Sequence, residues 1–166
     1  MKKTVYKFLL CLMTVMIILS SFTACSDDNE DLQGSIFDSN ISMVQNGYPV
    51  MIPDITYKQA YNYFFENPQW RGFEADDGSE VVEFSGGCTY YDEDATVYIQ
   101  FVIDDKESFS KWYASISVGG ETIEADEQLF IELVYTPFAT YSEDVLDKPL
   151  SQDVQDAFAE MYNSLQ

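Results

Sequence analysis

The chain has 166 residues, and its 29 acidic and 8 basic residues give a formal net charge of −21 at pH 7. Nucleic acid is not expected as a partner, because phosphate binding depends on Lys and Arg, which are few and scattered after residue 7. The chain has no histidine, which excludes Ser–His and Cys–His catalytic pairs and removes the commonest zinc ligand.

The first 24 residues have the pattern of an export signal. Lys2, Lys3 and Lys7 precede an apolar run from Phe8 to Leu19, and small residues follow that run. The run is too short for a membrane-spanning helix, which needs about twenty apolar residues. The sequence therefore predicts that residues 1–24 form a signal peptide that is removed.

The segment Phe22-Thr23-Ala24-Cys25 resembles the lipobox of bacterial lipoproteins. This resemblance implies that Cys25 is the lipidation site and the first residue of the mature protein. More than one acyl chain would then attach the protein to the membrane, because a single chain binds only marginally. A signal peptide without lipidation, in which Cys25 is incidental, is the alternative.

The acidic stretch over residues 26–31 is similar to the surface-export signal of Bacteroidetes lipoproteins. The similarity implies an outer-membrane lipoprotein that is exposed on the cell surface. A solvated spacer on a periplasm-facing lipoprotein is the alternative. Residues 25–40 are polar and poor in large apolar groups, which predicts an acidic tether in front of one ordered domain over residues 41–166.

Removal of residues 1–24 leaves 142 residues, enough for one domain with a core. These 142 residues keep 29 acidic and 5 basic side chains, a formal charge of −24, which favours solubility and attraction to cations or to a basic protein. Apart from Cys25, the mature chain keeps only Cys88, which shares a predicted strand face with Phe84 and Tyr90. Cys88 is therefore predicted to be a buried apolar residue and not a reactive thiol.

Thr56 and Gln59 have the spacing of a helix capping box. Apolar residues then recur at steps of three and four, which predicts an amphipathic helix that runs to about Glu66. Asn67-Pro68 is predicted to stop this helix.

Four extended segments are predicted after this helix, separated by turns at residues 76–78, 91–94 and 104–106, with Gly119-Gly120 as a last tight turn. Their short spacing predicts an antiparallel meander. Gly86-Gly87 indicates a bulge in the second strand. Alternation places one face of the second, third and fourth strands in the core, namely Val82, Phe84, Cys88, Tyr90, Val97, Ile99, Phe101, Ile103, Trp112, Ala114, Ile116 and Val118.

Two helices are predicted after the sheet. The first contains Leu129, Phe130, Leu133 and Val134 and ends near Pro137. The second is capped by Ser151 and carries an apolar stripe of Val154, Phe158, Met161 and Leu165. The predicted fold class is α+β, with an N-terminal helix, a four-stranded antiparallel β-meander and two C-terminal helices.

Residues 43–115 resemble a family of small domains found in secreted and membrane-attached proteins of gut bacteria, to which no activity is assigned. The resemblance is carried by Thr56-x-x-x-Ala60, Phe64-Phe65, Asn67-Pro68-x-Trp70-x-x-Phe73, Asp77-Gly78, Val81-Val82-x-Phe84-x-Gly86-x-Cys88-Thr89-Tyr90 and Ile99-Gln100-Phe101. It implies a single recurring module and supplies no catalytic residue.

The acidic residues cluster in the predicted turns, where solvation is the default. Their spacing lacks the alternating ligands and distal Glu of an EF-hand loop. A glycosidase would need two carboxylates at a fixed separation in distinct environments, which turn residues do not provide. We therefore predict no catalytic residues, no metal site and no cofactor, and a protein that is not an enzyme.

The predicted sheet face opposite the core is polar and rich in tyrosine. Tyrosine combines rigid apolar area with a hydrogen-bonding tip, which suits both protein recognition and stacking on sugar rings. The alternative is that these residues are simply good strand formers. The candidate binding face comprises Thr89, Tyr91, Tyr98, Gln100, Tyr113, Ser115 and Ser117.

The sequence thus predicts a surface-displayed, non-enzymatic lipoprotein that binds a protein or glycan. The alternative from another class is a periplasm-facing inhibitor or immunity-type protein that neutralises a basic partner with its anionic surface. A purely structural role in the envelope is a third possibility.

Overall fold

The computed structural model describes residues 29–163, with side chains described over residues 36–110 and 113–160. The predicted signal peptide and Cys25 lie outside the described residues. The α+β fold class is confirmed, but the described chain has one more helix and one more strand than predicted. The elements are α1 (Asn29–Asn46), α2 (Tyr57–Phe64), β1 (Glu66–Glu74), β2 (Glu80–Tyr90), β3 (Glu93–Ile103), β4 (Phe109–Val118), β5 (Glu121–Glu124), α3 (Glu127–Asp144) and α4 (Gln152–Asn163).

Helix α1 spans Asn29–Asn46, so the described backbone is helical over much of the segment predicted as a tether. Phe37, Ile41 and Val44 lie four and three residues apart, so one narrow stripe of the helix is apolar. Val44 is fully buried, and Ile41 packs against the core. Phe37 lies over Gly72 of β1, where an added Cβ would come within 2.8 Å of the Phe37 Cβ. The polar and acidic composition of this segment concealed the buried stripe in the sequence.

Helix α2 begins as predicted, with the capping box in place. The backbone amide of Gln59 donates to the Thr56 hydroxyl at 3.2 Å. The backbone amide of Thr56 donates to the side-chain oxygen of Gln59 at 2.9 Å. The helix ends at Phe64, because Phe65 already has an extended backbone, with φ of −96° and ψ of 146°. The predicted stop Asn67-Pro68 lies within β1.

The irregularity predicted in β2 lies instead in its neighbour β1. The β1–β2 register gains one residue on β1 between Glu66 and Gln69, and Asn67 has a φ of 48°. Strand β2 pairs with β3 without interruption. Gly86 has a packing role, because an added Cβ would lie 2.6 Å from the Cβ of Phe65.

The sheet is an antiparallel meander in the order β1-β2-β3-β4-β5. The β2–β3 turn consists of Tyr91-Asp92, with φ of 47° and 64°, and the β4–β5 turn consists of Gly119-Gly120, with φ of 59° and 86°. The sequence identified the second turn but not the short strand β5 that it introduces.

The core lies between one face of the sheet and the helices. The Tyr61 ring of α2 packs 4.9 Å from Phe84 and 5.8 Å from Phe138 of α3, measured between ring centroids. The predicted core positions on β2 and β3 are confirmed as buried or packed against the core, and so are Ala114, Ile116 and Val118 on β4. Trp112 is the extra residue of an irregularity in the β3–β4 register, and its side chain lies outside the described residues.

Helix α3 corrects the prediction that Pro137 ends it. Asp126 caps the helix by accepting from the Leu129 amide at 2.9 Å, and the helix continues to Asp144 with Pro137 buried inside it. The Tyr61 hydroxyl donates to the Val134 carbonyl at 3.4 Å, one turn before Pro137. The apolar surface that α3 buries outweighs the one backbone bond that proline removes.

Helix α4 follows Ser151 as predicted. Val154 is buried, and the Phe158 ring packs 4.6 Å from Tyr135 of α3. The side chains of Met161 and Leu165 lie outside the described residues. Over residues 29–163, the structure contains no helix that is long and apolar enough to cross a membrane.

Candidate functional site

The sheet face opposite the helices is the candidate site. In an antiparallel sheet, directly paired residues point to the same face, and successive residues alternate. The pairings therefore bring the polar positions of five strands together on one surface. We call this surface the open face. It includes the apolar Phe73, Val81 and Val102 at one end, and Arg71, Glu83, Ser85, Tyr98, Gln100, Tyr113, Ser115, Ser117 and Glu124.

A row of four side chains crosses the open face from β1 to β4. Arg71 pairs with Glu83, Glu83 with Gln100, and Gln100 with Tyr113. Arg71 Nε donates to Glu83 Oε1 at 2.7 Å, and Gln100 Nε2 donates to Glu83 Oε2 at 2.8 Å. Each carboxylate oxygen thus accepts a bond, which explains how an acidic side chain with 6% exposure is tolerated.

Arg71 is the only arginine of the chain. Its guanidinium carbon lies 5.0 Å from the centroid of the Phe73 ring, on the same strand and the same face. The Arg71 side chain is nevertheless 68% exposed. The Glu83 bond uses Nε, and in the described structure the terminal nitrogens have no protein partner. The side chain is therefore held at two points while its outer donors face solvent.

The neighbouring row consists of Ser85, Tyr98, Ser115 and Glu124. Tyr98 is half-buried and Ser115 is buried, so the middle of this row is largely shielded from solvent. Burial raises the pKa of Tyr113, and the charge of Glu124 raises it further, whereas a hydrogen bond with Ser115 lowers it. Tyr113 therefore keeps its phenolic proton at neutral pH and remains a donor.

Comparison with protein-family models, with curated proteins and with solved structures found no match. The resemblances drawn from the sequence stay predictions. The assignment of the site accordingly rests on the geometry of the open face.

Six of the seven residues predicted for the binding face share one side of the sheet. Tyr98, Gln100, Tyr113, Ser115 and Ser117 lie together on the open face, and Thr89 lies on the same side near the β2–β3 turn.

Tyr91 is the exception, because it lies in the turn itself. Tyr91 is 85% exposed, and its ring centroid lies 4.5 Å from that of Tyr90, which faces the core side. The two-residue turn gives Tyr91 a φ of 47° and removes it from the strand alternation.

The sequence prediction missed Arg71, Phe73 and Glu83. The alternation that buries Val82 and Phe84 places Glu83 on the opposite side, so a signal for it was present. Arg71 and Phe73 needed the β1–β2 register, which depends on the bulge between Glu66 and Gln69. A one-residue irregularity of this kind inverts the face of every later residue in the strand.

Four clefts among the described residues are lined by none of the open-face residues named above. One cleft of about 520 Å³ is lined by residues 47–51 with Tyr57, Phe109 and Tyr135, and another of about 520 Å³ lies between the end of α2, β2 and α3. Cys88 lines the second cleft and packs against the core, and burial raises the pKa of its thiol. The part of the chain that the structure describes contains no group of His, Cys, Asp or Glu able to hold a metal ion.

Proposed function

We propose that this protein is a surface-displayed, non-enzymatic lipoprotein of the outer membrane, attached through Cys25, whose open face binds a protein or a glycan. The sequence around Cys25 and the acidic stretch after it support attachment and display, and one structural observation carries the binding part of the proposal. The open face presents the Tyr98 and Tyr113 side chains beside an Arg71–Glu83–Gln100 row in which hydrogen bonds of 2.7 and 2.8 Å already fix the polar groups. A binding surface that is ordered before contact loses less conformational entropy when it binds.

The non-enzymatic assignment is supported by the chemistry of the residues on this face. The chain has no histidine, and both oxygens of the buried Glu83 already accept hydrogen bonds. Glu83 is therefore poorly placed to take a proton from a substrate. The open face thus offers fixed hydrogen-bond donors and aromatic rings but no available general base. Such a surface suits the binding of a ligand that is not chemically changed.

Two experiments test the proposal. The first is protease treatment of intact cells that express the full-length chain, with Cys25→Ala as the control that should be lost from the membrane fraction. Digestion on intact cells is the expected result. Protection until the outer membrane is broken would contradict surface display.

The second experiment compares partner capture by three variants. Tyr98→Ser and Tyr113→Ser should each reduce capture from host secretions, while Tyr91→Ser removes an equally polar ring outside the open face and should leave capture unchanged. Equal loss in all three variants, or none in any, would contradict binding through the open face.

A second candidate is a periplasm-facing inhibitor or immunity-type protein. The observation in its favour is the charge of −24 over residues 25–166, in which five basic side chains can neutralise few of 29 acidic ones. Such a complex would weaken steeply as salt is raised, because exposed charges are screened over about 8 Å at physiological ionic strength. A salt-insensitive complex would argue against this role.

A further inference from the structure

We infer that the ligand of the open face is a neutral glycan, bound by the outer donors of Arg71 and by the rings of Tyr98 and Tyr113. This inference rests on the proposed function, because it takes the open face as the binding surface. It goes further by selecting one class of ligand and one set of contacts.

The contacts of the Arg71 side chain fix its orientation and leave hydrogen-bond donors for a ligand. Its Nε is bonded to Glu83 at 2.7 Å, and its guanidinium lies 5.0 Å from the Phe73 ring centroid. Guanidinium has five N–H groups in a rigid planar fork, and one of them is used. The remaining donors point out from a side chain that is 68% exposed, so they can meet two neighbouring acceptor oxygens at once. Adjacent hydroxyl groups of a sugar ring present acceptors in this arrangement.

The charges of the open face argue against ionic ligands of either sign. Glu83 neutralises Arg71 within the protein, and Glu124 adds a negative charge beside Tyr113 and Ser115. A ligand carboxylate at Arg71 would lie close to the Glu83 carboxylate and in the field of a strongly acidic protein. A cationic ligand would be repelled by the positive charge of the exposed Arg71 guanidinium. Hydroxyl groups carry no charge and both donate and accept, so they suit this surface best.

The aromatic residues supply the apolar part of such a site. Tyr113 stands at the β4 end of the row that begins at Arg71 on β1, three strand spacings away, or roughly 14 Å at about 4.8 Å each. Tyr98 lies between them in the neighbouring row. A short linear oligosaccharide laid across the strands can therefore stack on Tyr98 or Tyr113 while its hydroxyls reach Arg71 and Gln100.

A protein ligand fits this surface less well. Protein interfaces are usually centred on fully desolvated aromatic or aliphatic anchors. The central strand β3 instead gives the open face the polar Gln100 and the half-buried Tyr98, while the apolar row of Phe73, Val81 and Val102 lies at one end of the face. Large apolar residues that are exposed in the described structure lie mostly elsewhere, including Tyr48, Val50, Met51, Tyr63, Val145 and Leu146. Of that exposed set, Tyr113 lies on the open face, at 36% exposure.

The experiment uses the full mature chain from residue 25, with Cys25→Ser to keep it free of lipid, against an array of neutral and uronic-acid oligosaccharides. The best neutral oligosaccharide is then measured by calorimetry at low and high salt. We expect binding that changes less than twofold with salt. Tyr113→Ser and Arg71→Lys should each weaken binding at least tenfold, because the first removes a stacking ring and the second keeps the charge but loses the fork. Tyr91→Ser should bind like the parent protein.

Circular dichroism confirms that each variant is folded, and Tyr113→Ser, at an exposed position, provides the test if Arg71→Lys is unstable. Three results would each overturn the inference. They are a preference for uronic-acid oligosaccharides, no binding of any neutral oligosaccharide, and a loss of affinity in Tyr91→Ser as large as that in Tyr113→Ser. If no neutral glycan binds but Tyr98→Ser and Tyr113→Ser still abolish capture of a protein, the proposed function stands and the glycan inference fails. If the open-face variants alter no capture of any kind, both fail.

Discussion

Arg71 and Glu83 face each other across β1 and β2, and the Arg71 Nε donates to Glu83 Oε1 at 2.7 Å. The two side chains differ in environment, because that of Arg71 is 68% exposed and that of Glu83 only 6%. Arg71 therefore covers a carboxylate that solvent cannot reach. Glu83 in turn orients the one guanidinium of the open face.

Removal of Arg71 should destabilise the fold more than removal of the Glu83 charge. Arg71→Ala leaves a buried carboxylate with Gln100 as its remaining partner, and we expect a loss of about 1–2 kcal/mol, less than for a fully buried pair because Arg71 is largely exposed. Glu83→Gln keeps the shape and should cost less. In Arg71→Ala/Glu83→Gln the effects should be non-additive by about 1 kcal/mol in urea unfolding. Additive losses would show that the pair is not coupled.

The two short hairpin turns offer a matched pair for testing backbone strain. Both central residues of each turn have positive φ, but one turn is Gly119-Gly120 and the other is Tyr91-Asp92. Left-handed backbone costs about 1–2 kcal/mol at most L-residues, though less at Asp. Asp92→Gly should therefore raise stability by about 0.5–1 kcal/mol, and Gly120→Ala should lower it by about 1 kcal/mol. Thermal unfolding measures both, and shifts of the same sign in the two variants would contradict the assigned turn geometry.

The sequence predicted those elements whose signals are local. Thr56 and Gln59 form the capping box from residues three positions apart, and strict alternation along β3 identified its buried face without any partner. The β4–β5 turn was likewise visible in Gly119-Gly120. In each case neighbouring residues alone determine the conformation.

The features that the sequence did not predict depend on tertiary contacts. Helix α1 looks polar until Phe37 is placed against Gly72, and Pro137 is tolerated inside α3 because the surrounding helix is buried. The open face was predicted for β3 and β4, where alternation holds. Its β1 residues, Arg71 above all, could be placed only once the bulge had set the register.

The docking of α1 is tested at Gly72. In Gly72→Ala the new Cβ would lie 2.8 Å from the Phe37 Cβ, so either α1 or β1 must move, and we expect a loss of about 1–3 kcal/mol from overpacking. Backbone amide hydrogen exchange over residues 37–46 should become faster, because α1 packs less closely against the sheet.

Gly87→Ala provides the control, since its new Cβ would lie 3.3 Å from the Cβ of Glu66, a milder approach on the same sheet. It should leave exchange in α1 unchanged. If Gly72→Ala also leaves stability and exchange unchanged, α1 does not dock on the sheet in solution, and the segment behaves as the tether that its composition predicts.

Acid stability should depend on two turn carboxylates. Asp77 accepts a hydrogen bond from the Ser79 amide at 3.0 Å, and Asp105 accepts one from the Glu107 amide at 2.8 Å. These backbone bonds hold the pKa of each aspartate below its ordinary value. Because the folded pKa is lower than the unfolded one, near 3.9, each bond stabilises the fold above about pH 4, and its contribution is lost as pH falls through the folded pKa.

Asp77→Ala and Asp105→Ala should therefore melt at lower temperature than the parent protein at pH 7, and this difference should shrink as the pH is lowered from 5 to 2.5. The difference between proteins is the useful quantity, because acid also relieves repulsion within a chain of net charge −21 and shifts every melting temperature. Glu143→Ala is the control, since it removes one exposed carboxylate to which the described structure gives no hydrogen bond. A melting difference for Asp77→Ala that stays constant down to pH 2.5 would mean that its carboxylate does not stabilise the turn through the Ser79 bond.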